Sequence, residues 1–310
     1  MADINLIKEL RQRTGAGIVD CKKALEDNGD DIEKAIIALR EKGLSKAAKR
    51  AGREAVMGAI IVDVADDRKT ATIAELNSET DFVAETEAFK GLVPEIFSGL
   101  KSAYPNGNEG EVEVPADLDE KIKLVAGKTG ENVNLRRFVR CAANSEKTAS
   151  FTGKVSNHSC NGEGFLAVYQ HFNKEVGSLV ELAIDKKEAA DTDDFKNFHE
   201  IMTFQIAANS PKYISRDEVP AEIIEAEKEI YRNEMKNDPK NANKPDDILD
   251  KIILGKINKL FYKENCLMDQ AYFDDDNISV LQAVEKVEKK LGAKIAIRRI
   301  IRFQLGEPLD

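Results

Sequence analysis

Residues 58–76, GAIIVDVADDRKTATIAEL, alternate apolar and polar side chains on both sides of a polar segment at positions 65–68. A period of two places every second side chain on the same face of a strand, so this stretch predicts two strands joined by a turn. Asn77 and Ser78 end the second strand, and Thr80 is suited to cap the start of a helix. A β-hairpin that leads directly into a helix predicts a mixed α+β fold for this part of the chain.

The helix predicted after Thr80 carries an apolar stripe. Its members are Phe89, Leu92, Val93, Ile96, Phe97 and Leu100. Phe82 lies seven residues before Phe89, which is two helical turns, so the periodicity alone places its ring on the buried face. Asp81 falls in the first turn, where the helix dipole stabilises a carboxylate. On the pattern alone, core packing is therefore the simpler interpretation of Phe82.

Towards the N-terminus, residues 3–43 predict three short helices. Their apolar stripes are Ile4, Ile7 and Leu10, then Val19, Ala24 and Leu25, then Ile32, Ala35, Ile36 and Leu39. The segment at 14–17, TGAG, ends the first helix, and Gly43 is predicted to end the third, before a polar connector at 44–53. Because so small a bundle has a marginal core, it is suited to present a surface to a partner. The alternative is a helical cap on the same protein.

Towards the C-terminus, the pattern predicts a second unit of strands and helices. The predicted elements are a helix over Leu118–Ala126 ending at Gly127, strands over Leu135–Ala142, Ala149–Val155, Phe165–Phe172, Val176–Ala183 and Ala296–Leu305, and a helix through Phe195, Phe198, Ile201, Met202 and Ile206. Two charged helices, 220–236 and 246–263, interrupt this unit and predict a hairpin. Its two arms are expected to meet through Ile223, Ile224, Ile230 and Tyr231 on one side and Leu249, Ile252, Ile253, Leu260 and Phe261 on the other.

Composition excludes several classes of function. The 46 basic and 56 acidic residues give a net charge of −10, which does not favour non-specific binding to nucleic-acid backbones. No segment approaches the roughly 18 consecutive apolar residues that a membrane span needs, so we expect a cytosolic protein. The four cysteines are scattered and predict buried thiols rather than disulfides or a zinc site.

Several short motifs imitate sites of enzyme chemistry. Gly127-Lys128-Thr129 lacks the glycine at position 122 that a phosphate-binding loop requires, and residues 162–167, GEGFLA, precede a strand-like run where a dinucleotide motif needs a helix, which predicts a hairpin turn. His158 and Cys160 have no further ligands nearby to complete a zinc site. We therefore expect no metal, no cofactor and no covalent catalysis.

Four stretches of the chain carry a resemblance to a known family. They are residues 10–17 with 20–25 (LRQRTGAG and DCKKAL), 79–84 (ETDFVA), 130–137 (GENVNLRR) and 169–171 (YQH). In these motifs, and in their order along the chain, the sequence resembles the bacterial translation elongation factor Ts family. The resemblance implies a guanine nucleotide exchange factor for elongation factor Tu.

The resemblance also implies a domain organisation within the α+β class. It predicts an N-terminal three-helix module of the ubiquitin-associated type with its connector (1–54), two α+β core subdomains (55–148, and 149–213 with 270–310), and an inserted coiled-coil hairpin of the dimerisation type (214–269). The expected partner is elongation factor Tu, both GDP-bound and nucleotide-free. The resemblance leaves open a homodimer or a two-to-two complex, and it implies no direct contact with nucleic acid or membrane.

The resemblance assigns contact residues by position. Asp81 and Phe82, with Thr80 and Val83, match the segment that intrudes beside the partner's magnesium and phosphate site, which makes Phe82 an exposed ring. The other implied contacts are Arg11, Ile18 and Val19 in the module, Thr129 and Gly130 beside the corner, and His171 at a second partner domain. The competing hypothesis is a non-catalytic adaptor whose three-helix module binds an unrelated protein.

Overall fold

The computed structural model describes residues 3–108, 113–144, 154–155, 162–238 and 244–309. These residues form an α+β fold in which two antiparallel sheets lie face to face, each covered on its outer side by helices. The α+β class predicted from the hairpin at 58–76 is confirmed.

Three helices, α1 (Ile4–Thr14), α2 (Ile18–Asp27) and α3 (Ile32–Ala48), form an N-terminal cluster. Gly15 ends α1 in the left-handed conformation, with φ of 68°, and its N–H donates to the carbonyl of Arg11. The core of the cluster consists of Leu10, Cys21, Ala24, Leu25 and Ala35. The prediction that Val19 faces inward is wrong: its side chain is 80% exposed, and Cys21 takes the buried position.

The first sheet contains β1 (Met57–Val64), β2 (Thr70–Ser78) and β3 (Val133–Ala142), paired in the order β1-β2-β3. The predicted hairpin at 58–76 is confirmed. Four helices cover the outer face of this sheet: α4 (Asp81–Ala84), α5 (Glu87–Lys90), α6 (Leu92–Ala103) and α7 (Ala116–Thr129). The single helix predicted after Thr80 is therefore three separate helices.

The second half of the chain provides a second sheet and its helices. Its elements are β4 (Lys154–Val155), β5 (Glu163–Gln170), β6 (Val176–Ile184), α8 (Asp193–Asn209), α9 (Ala221–Asn237), α10 (Asp246–Lys256), α11 (Tyr262–Asn265), β7 (Ala271–Tyr272), β8 (Asp275–Ser279), α12 (Val280–Leu291) and β9 (Ile295–Gln304). The second sheet has the order β4-β9-β6-β5, so the last strand of the chain lies inside it, while β7 and β8 pair with each other as a separate two-stranded sheet. Helices α8 and α12 cover its outer face.

The two sheets share a buried apolar layer. The first sheet contributes Ile60, Ala71, Ile73, Val139 and Cys141, and the second contributes Leu166, Leu179, Ile301 and Phe303. Gly177 lies at the closest approach, because a Cβ there would be 2.6 Å from Cγ2 of Ile60. The two halves of the core are consequently joined by a common interior.

Helices α9 and α10 form the predicted hairpin, and a π-helical turn (Ile257–Phe261) connects α10 to α11. The contact between the arms is formed by Met235, Leu249, Ile253, Ile257 and Phe261, with Ile224, Tyr231 and Ile252 partly buried against them. The prediction that Ile223, Ile230 and Leu260 lie at this contact is wrong, since each is at least 40% exposed. The chain segments before and after the hairpin are joined by a hydrogen bond in which the N–H of Leu267 donates to the carbonyl of Tyr213 at 2.8 Å.

Two glycines predicted to end helices lie inside them. Helix α3 continues through Gly43 to Ala48, and α7 continues through Gly127 to Thr129, where Gly130 adopts φ of 81° and ends the helix. A Cβ at Gly127 would lie 2.8 Å from the carbonyl oxygen of Gly43. The glycine at 127 thus permits a close backbone contact between α3 and α7, which attaches the N-terminal cluster to the core.

The remaining predictions concern residues outside the described ranges, the segment at 162–167 and the cysteines. Residues 149–153 of the predicted strand, together with His158 and Cys160, lie outside the described residues, as do positions 109–112 and 239–243. Residues 163–167 belong to β5, so the turn predicted there is wrong, while the absence of a helix start agrees with rejecting the dinucleotide motif. Cys21, Cys141 and Cys266 are buried, as predicted.

Candidate functional site

The corner between β2 and α4 is held by two reciprocal carboxylate interactions. The side chain of Glu131, in the turn between α7 and β3, accepts hydrogen bonds from the N–H of Thr80 at 2.9 Å and from its hydroxyl at 2.7 Å. The side chain of Glu79 accepts in return from the N–H of Asn132 at 2.6 Å. Hydrogen bonds to a charged acceptor are stronger than neutral ones. We call these four residues, Glu79, Thr80, Glu131 and Asn132, the carboxylate clasp.

Above the carboxylate clasp, the first residues of α4 point in different directions. Phe82 is 82% exposed, and Asp81 beside it is exposed and accepts a hydrogen bond from the N–H of Phe82 at 2.9 Å. Val83 and Ala84 are buried in the core against the first sheet. Val83, predicted as a contact residue, is only 7% exposed, so its side chain packs mainly into the core beneath the turn.

The exposure of Phe82 follows from a break in the predicted helix. Helix α4 has four residues, and Thr86 begins α5 by accepting a hydrogen bond from the N–H of Phe89 at 3.2 Å. Because the chain turns between the two helices, the seven-residue spacing from Phe82 to Phe89 no longer places both rings on one face. The core-packing interpretation of Phe82 is wrong.

The second half of the core contributes a neighbouring turn between β5 and β6. Lys174 in this turn lies 3.4 Å from the carboxylate of Glu85, which directly follows α4. Lys90, and secondarily Lys174, holds the pKa of the Glu85 carboxyl below its usual range. This contact brings the turn that follows His171 to the end of α4.

His171 lies in an aromatic group at this turn. Its Nδ1 is 2.8 Å from the hydroxyl of Tyr169, and its ring centroid is 4.4 Å from that of Phe172. Phe172 is 87% exposed and was absent from the predicted contact residues. The sequence placed it in the strand, but pairing ends at Gln170, and no signal in the sequence alone separated Phe172 from the strand. An apolar hollow of about 460 Å³ adjoins this group, lined by Tyr169, His171, Val176, Phe204, Ala207, Ala208 and Phe273.

The N-terminal cluster adds a further exposed segment. Ile18 and Val19, in the first turn of α2, are 57% and 80% exposed, and Arg11 is exposed near the end of α1. A Cβ at Gly15 would lie 3.9 Å from Cδ of Lys128 in α7. The turn between α1 and α2 therefore lies beside the end of α7.

The C-terminal end of α7 lies between the N-terminal cluster and the Phe82 corner. The hydroxyl of Thr129 donates to the carbonyl of Val125 at 3.0 Å, and Gly130 directly precedes Glu131 of the carboxylate clasp. Both Thr129 and Gly130 are half-buried. Contacts thus connect α7 with the cluster on one side and with the Phe82 corner on the other, while Glu85 connects that corner to the His171 turn.

Two kinds of feature are absent from the described residues, a metal-binding group and a membrane-spanning helix. Within the described residues, no group of three or more His, Cys, Asp and Glu side chains could hold a metal ion. None of the helices found there is long and apolar enough to cross a membrane. An exposed ring and an exposed carboxylate lie on this corner, and contacts connect the corner to two other segments with exposed apolar side chains.

Comparison with known proteins identifies the family. The family model described as Elongation factor TS matches residues 79–307. The elongation factor Ts of a Nitratiruptor species is 38% identical over 307 residues, covering 98% of this chain and 93% of that protein. Those of Halothermothrix orenii and Clostridium botulinum (strain Eklund 17B / Type B) are 38% and 35% identical, covering 98% and 100% of this chain and 92% and 95% of the relatives. The chain belongs to the elongation factor Ts family and has a role in translation elongation.

Proposed function

We propose that the protein is a guanine nucleotide exchange factor for elongation factor Tu and that the Phe82 corner carries the activity. The observation that supports this proposal is the exposure of Asp81 and Phe82 on a turn whose other residues are buried or held by the carboxylate clasp. Singly exposed apolar residues are common on protein surfaces, so the proposal rests on the position of this ring on an ordered turn beside an exposed carboxylate and not on its exposure alone. Thr80 and Val83 act indirectly, by fixing the turn.

The proposed mechanism requires no covalent step. The ring of Phe82 would separate elements of the partner that hold magnesium and phosphate, and the Asp81 carboxylate would repel the phosphates and compete for the cation. Both effects weaken bound GDP and raise its rate of release. Because binding free energies are linked, incoming nucleotide lowers the affinity of the factor by the same ratio, so the factor leaves the complex.

Three further segments would extend the interface beyond this corner. Arg11, Ile18 and Val19 would bind the nucleotide-binding domain of elongation factor Tu through the three-helix cluster, which we propose to be a ubiquitin-associated-like module. Thr129 and Gly130 would contact the same domain beside the carboxylate clasp. His171, with exposed Phe172 next to it, would bind a second domain of the partner. We place this activity in the cytoplasm, where translation elongation occurs.

The exchange hypothesis is tested by stopped-flow release of a fluorescent GDP analogue from elongation factor Tu. Phe82→Ala should lower the accelerated release rate about tenfold or more, which corresponds to about 1.4 kcal/mol of lost transition-state stabilisation. It should leave the free energy of unfolding within about 0.5 kcal/mol of the native value, because the ring is exposed. Leu281→Ala is the matched control, since Leu281 is a 47% exposed apolar residue on α12, in the outer helix layer of the second sheet.

The same assay separates exchange from the adaptor alternative. An adaptor would bind through the cluster and leave GDP release unchanged at saturating concentration. If Phe82→Ala accelerates GDP release as much as the native protein does, the Phe82 corner is not part of the mechanism. If the folded native protein does not accelerate GDP release at all, the adaptor hypothesis is favoured.

We also propose that the hairpin of α9 and α10 is a coiled-coil element that joins two copies of the chain. Its described residues carry four exposed large apolar side chains, Ile223, Ile230, Ile248 and Leu254, and Leu260 in the π-helical turn after α10 is exposed as well. Ile230→Glu, at a position 58% exposed, should shift a dimer to monomer in sedimentation velocity without loss of folded structure. A native chain that sediments as a monomer at tens of micromolar would contradict this proposal.

A further inference from the structure

A cleft of about 490 Å³ lies where the N-terminal cluster meets α7. One carboxylate, Asp20, lines it together with six basic side chains, Arg13, Arg40, Lys42, Lys46, Arg50 and Lys128. The chain as a whole carries a net charge of −10, so this concentration of cations departs from the average surface. Cations close together repel one another unless an anion lies between them.

The carboxylate in the cleft is already shared. The Nζ atoms of Lys42 and Lys46 lie 2.7 Å and 3.2 Å from its two oxygens. These two hydrogen bonds hold the pKa of the Asp20 carboxyl below its usual range, and the bond from Lys42 has the larger effect. The carboxyl group is therefore ionised at neutral pH. Two other cations bind carboxylates outside the cleft: Arg13 pairs with Glu33 at 2.6 Å, and Arg40 with Glu120 at 2.8 Å. Even with these acids included, the cations outnumber the carboxylates.

Two cations have no carboxylate at all in the described part of the chain. Neither Arg50 nor Lys128 forms an ion pair there, and Nη1 of Arg50 is buried with no hydrogen-bond partner. A buried donor without an acceptor costs free energy, and an anionic acceptor would remove this cost. Lys128 reaches the cleft from α7, whereas Arg50 lies just beyond α3. An anion held by both would therefore connect the core to the cluster.

We propose that this cleft binds a small molecule that bears a diphosphate or triphosphate group, nucleoside diphosphates being the class that fits. A guanidinium group can bind two phosphate oxygens at once and a lysine acts as a point charge, so a diphosphate matches the two cations without an ion pair among the described residues, Arg50 and Lys128. Ile36, Leu39 and Leu124 also line the cleft and offer an apolar wall to a ring system. The volume lies within the range of small-molecule sites. The site does not depend on exchange activity, since it is formed within this chain.

The test is calorimetric titration of the full chain, without elongation factor Tu, at low ionic strength. The probes are GDP, ADP and inorganic pyrophosphate, with guanosine as the uncharged comparison. We expect saturable one-to-one binding of both nucleoside diphosphates, weaker binding of pyrophosphate and none of guanosine. The midpoint of thermal unfolding should rise with ligand concentration, because the ligand binds only the folded state.

Two matched variants locate the site. Arg50→Gln/Lys128→Gln should weaken GDP binding about tenfold or more. Lys259→Gln/Lys263→Gln removes two positive charges from the π-helical turn and α11 and should leave the affinity within about twofold. If the first double variant fails to fold, Lys128→Gln alone serves, since Lys128 is exposed.

Three outcomes would overturn the proposal. No saturable binding at millimolar ligand would remove the site. Equal weakening by the two double variants would show a diffuse charge effect rather than this cleft. Equal affinity for pyrophosphate and GDP would show that the apolar wall contributes nothing to binding. The ligand would then not be identified as a nucleoside diphosphate.

Discussion

Replacing Gly43 or Gly127 by alanine should change the stability of the protein in opposite directions, although both glycines lie in the same helix contact. A Cβ at Gly127 would lie 2.8 Å from the carbonyl oxygen of Gly43 and 2.9 Å from its Cα. A Cβ at Gly43 would have no atom within 4 Å. One substitution therefore forces α3 and α7 apart, and the other fills open space.

The magnitudes follow from two opposing effects. Alanine is more favourable than glycine inside a helix by up to about 1 kcal/mol, and this gain applies at both positions. Overpacking against fixed backbone atoms costs about 1–3 kcal/mol and applies at Gly127 alone. We expect Gly43→Ala to raise the free energy of unfolding by about 0.5–1 kcal/mol and Gly127→Ala to lower it by about 1–2 kcal/mol.

Urea unfolding followed by circular dichroism measures both changes. Amide hydrogen exchange should show the loss in Gly127→Ala concentrated in α3 and α7, where the contact lies. Gly255→Ala provides a second open helical position, in α10, with no atom within 4 Å of the added Cβ. If Gly127→Ala were as stable as the native protein, the close contact between these helices, and the cleft beside it, would be refuted.

Two further substitutions test a half-buried carboxylate, Glu131, and a buried imidazole, His199. Glu131→Gln can no longer accept both hydrogen bonds of Thr80, so urea unfolding should show a loss of about 2 kcal/mol, and the Thr80 amide should exchange faster. Burial lowers the pKa of His199 to about 3. Between pH 6.5 and 3 the unfolded chain thus binds a proton that the folded chain does not, and stability should fall by about 2 kcal/mol from pH 7 to pH 5. His199→Gln should abolish this part of the slope in urea titrations at the two pH values, whereas His171→Asn should retain it.

Local periodicity predicted those elements whose burial is uniform along their length. The hairpin at 58–76 was predicted because apolar and polar residues alternate on both sides of a polar turn, and the structure pairs β1 with β2 across that turn. Strands β3, β6 and β9 were predicted from their apolar content, and they are buried along most of their length. Three-helix and helical-hairpin segments were also found, since their apolar stripes repeat every three or four residues.

Features that depend on contacts between distant segments were not predicted. The role of Gly127 depends on the backbone of Gly43, which lies in another helix. The break after Ala84 depends on Thr86, whose hydroxyl caps the next helix. In the hairpin, Met235 packs between the arms while Ile230 is exposed, because the geometry of two particular helices selects which apolar positions meet. The exposure of Phe82 was anticipated through family resemblance, not through the pattern.

Under the proposed exchange function, we expect the base of the Phe82 corner to matter as much as the ring that it presents. Leaving a phenylalanine exposed forgoes about 1.5–3 kcal/mol of burial, so the corner is maintained by other contacts, the carboxylate clasp and the buried Val83. A turn already ordered in the free protein loses little entropy on binding, which leaves more of the contact energy to act on the partner.

Glu131 touches Thr80 rather than the exposed tip, and yet its loss should slow nucleotide release. In the stopped-flow assay we expect Glu131→Gln to lower the accelerated rate several-fold, and raising the concentration of the factor to saturation should not restore it. Glu95→Gln, which removes an exposed carboxylate from α6, is the control and should release GDP at the native rate. If Glu131→Gln speeds exchange of the Thr80 amide but leaves GDP release unchanged, then order in the corner contributes nothing to activity, and the ring alone must suffice.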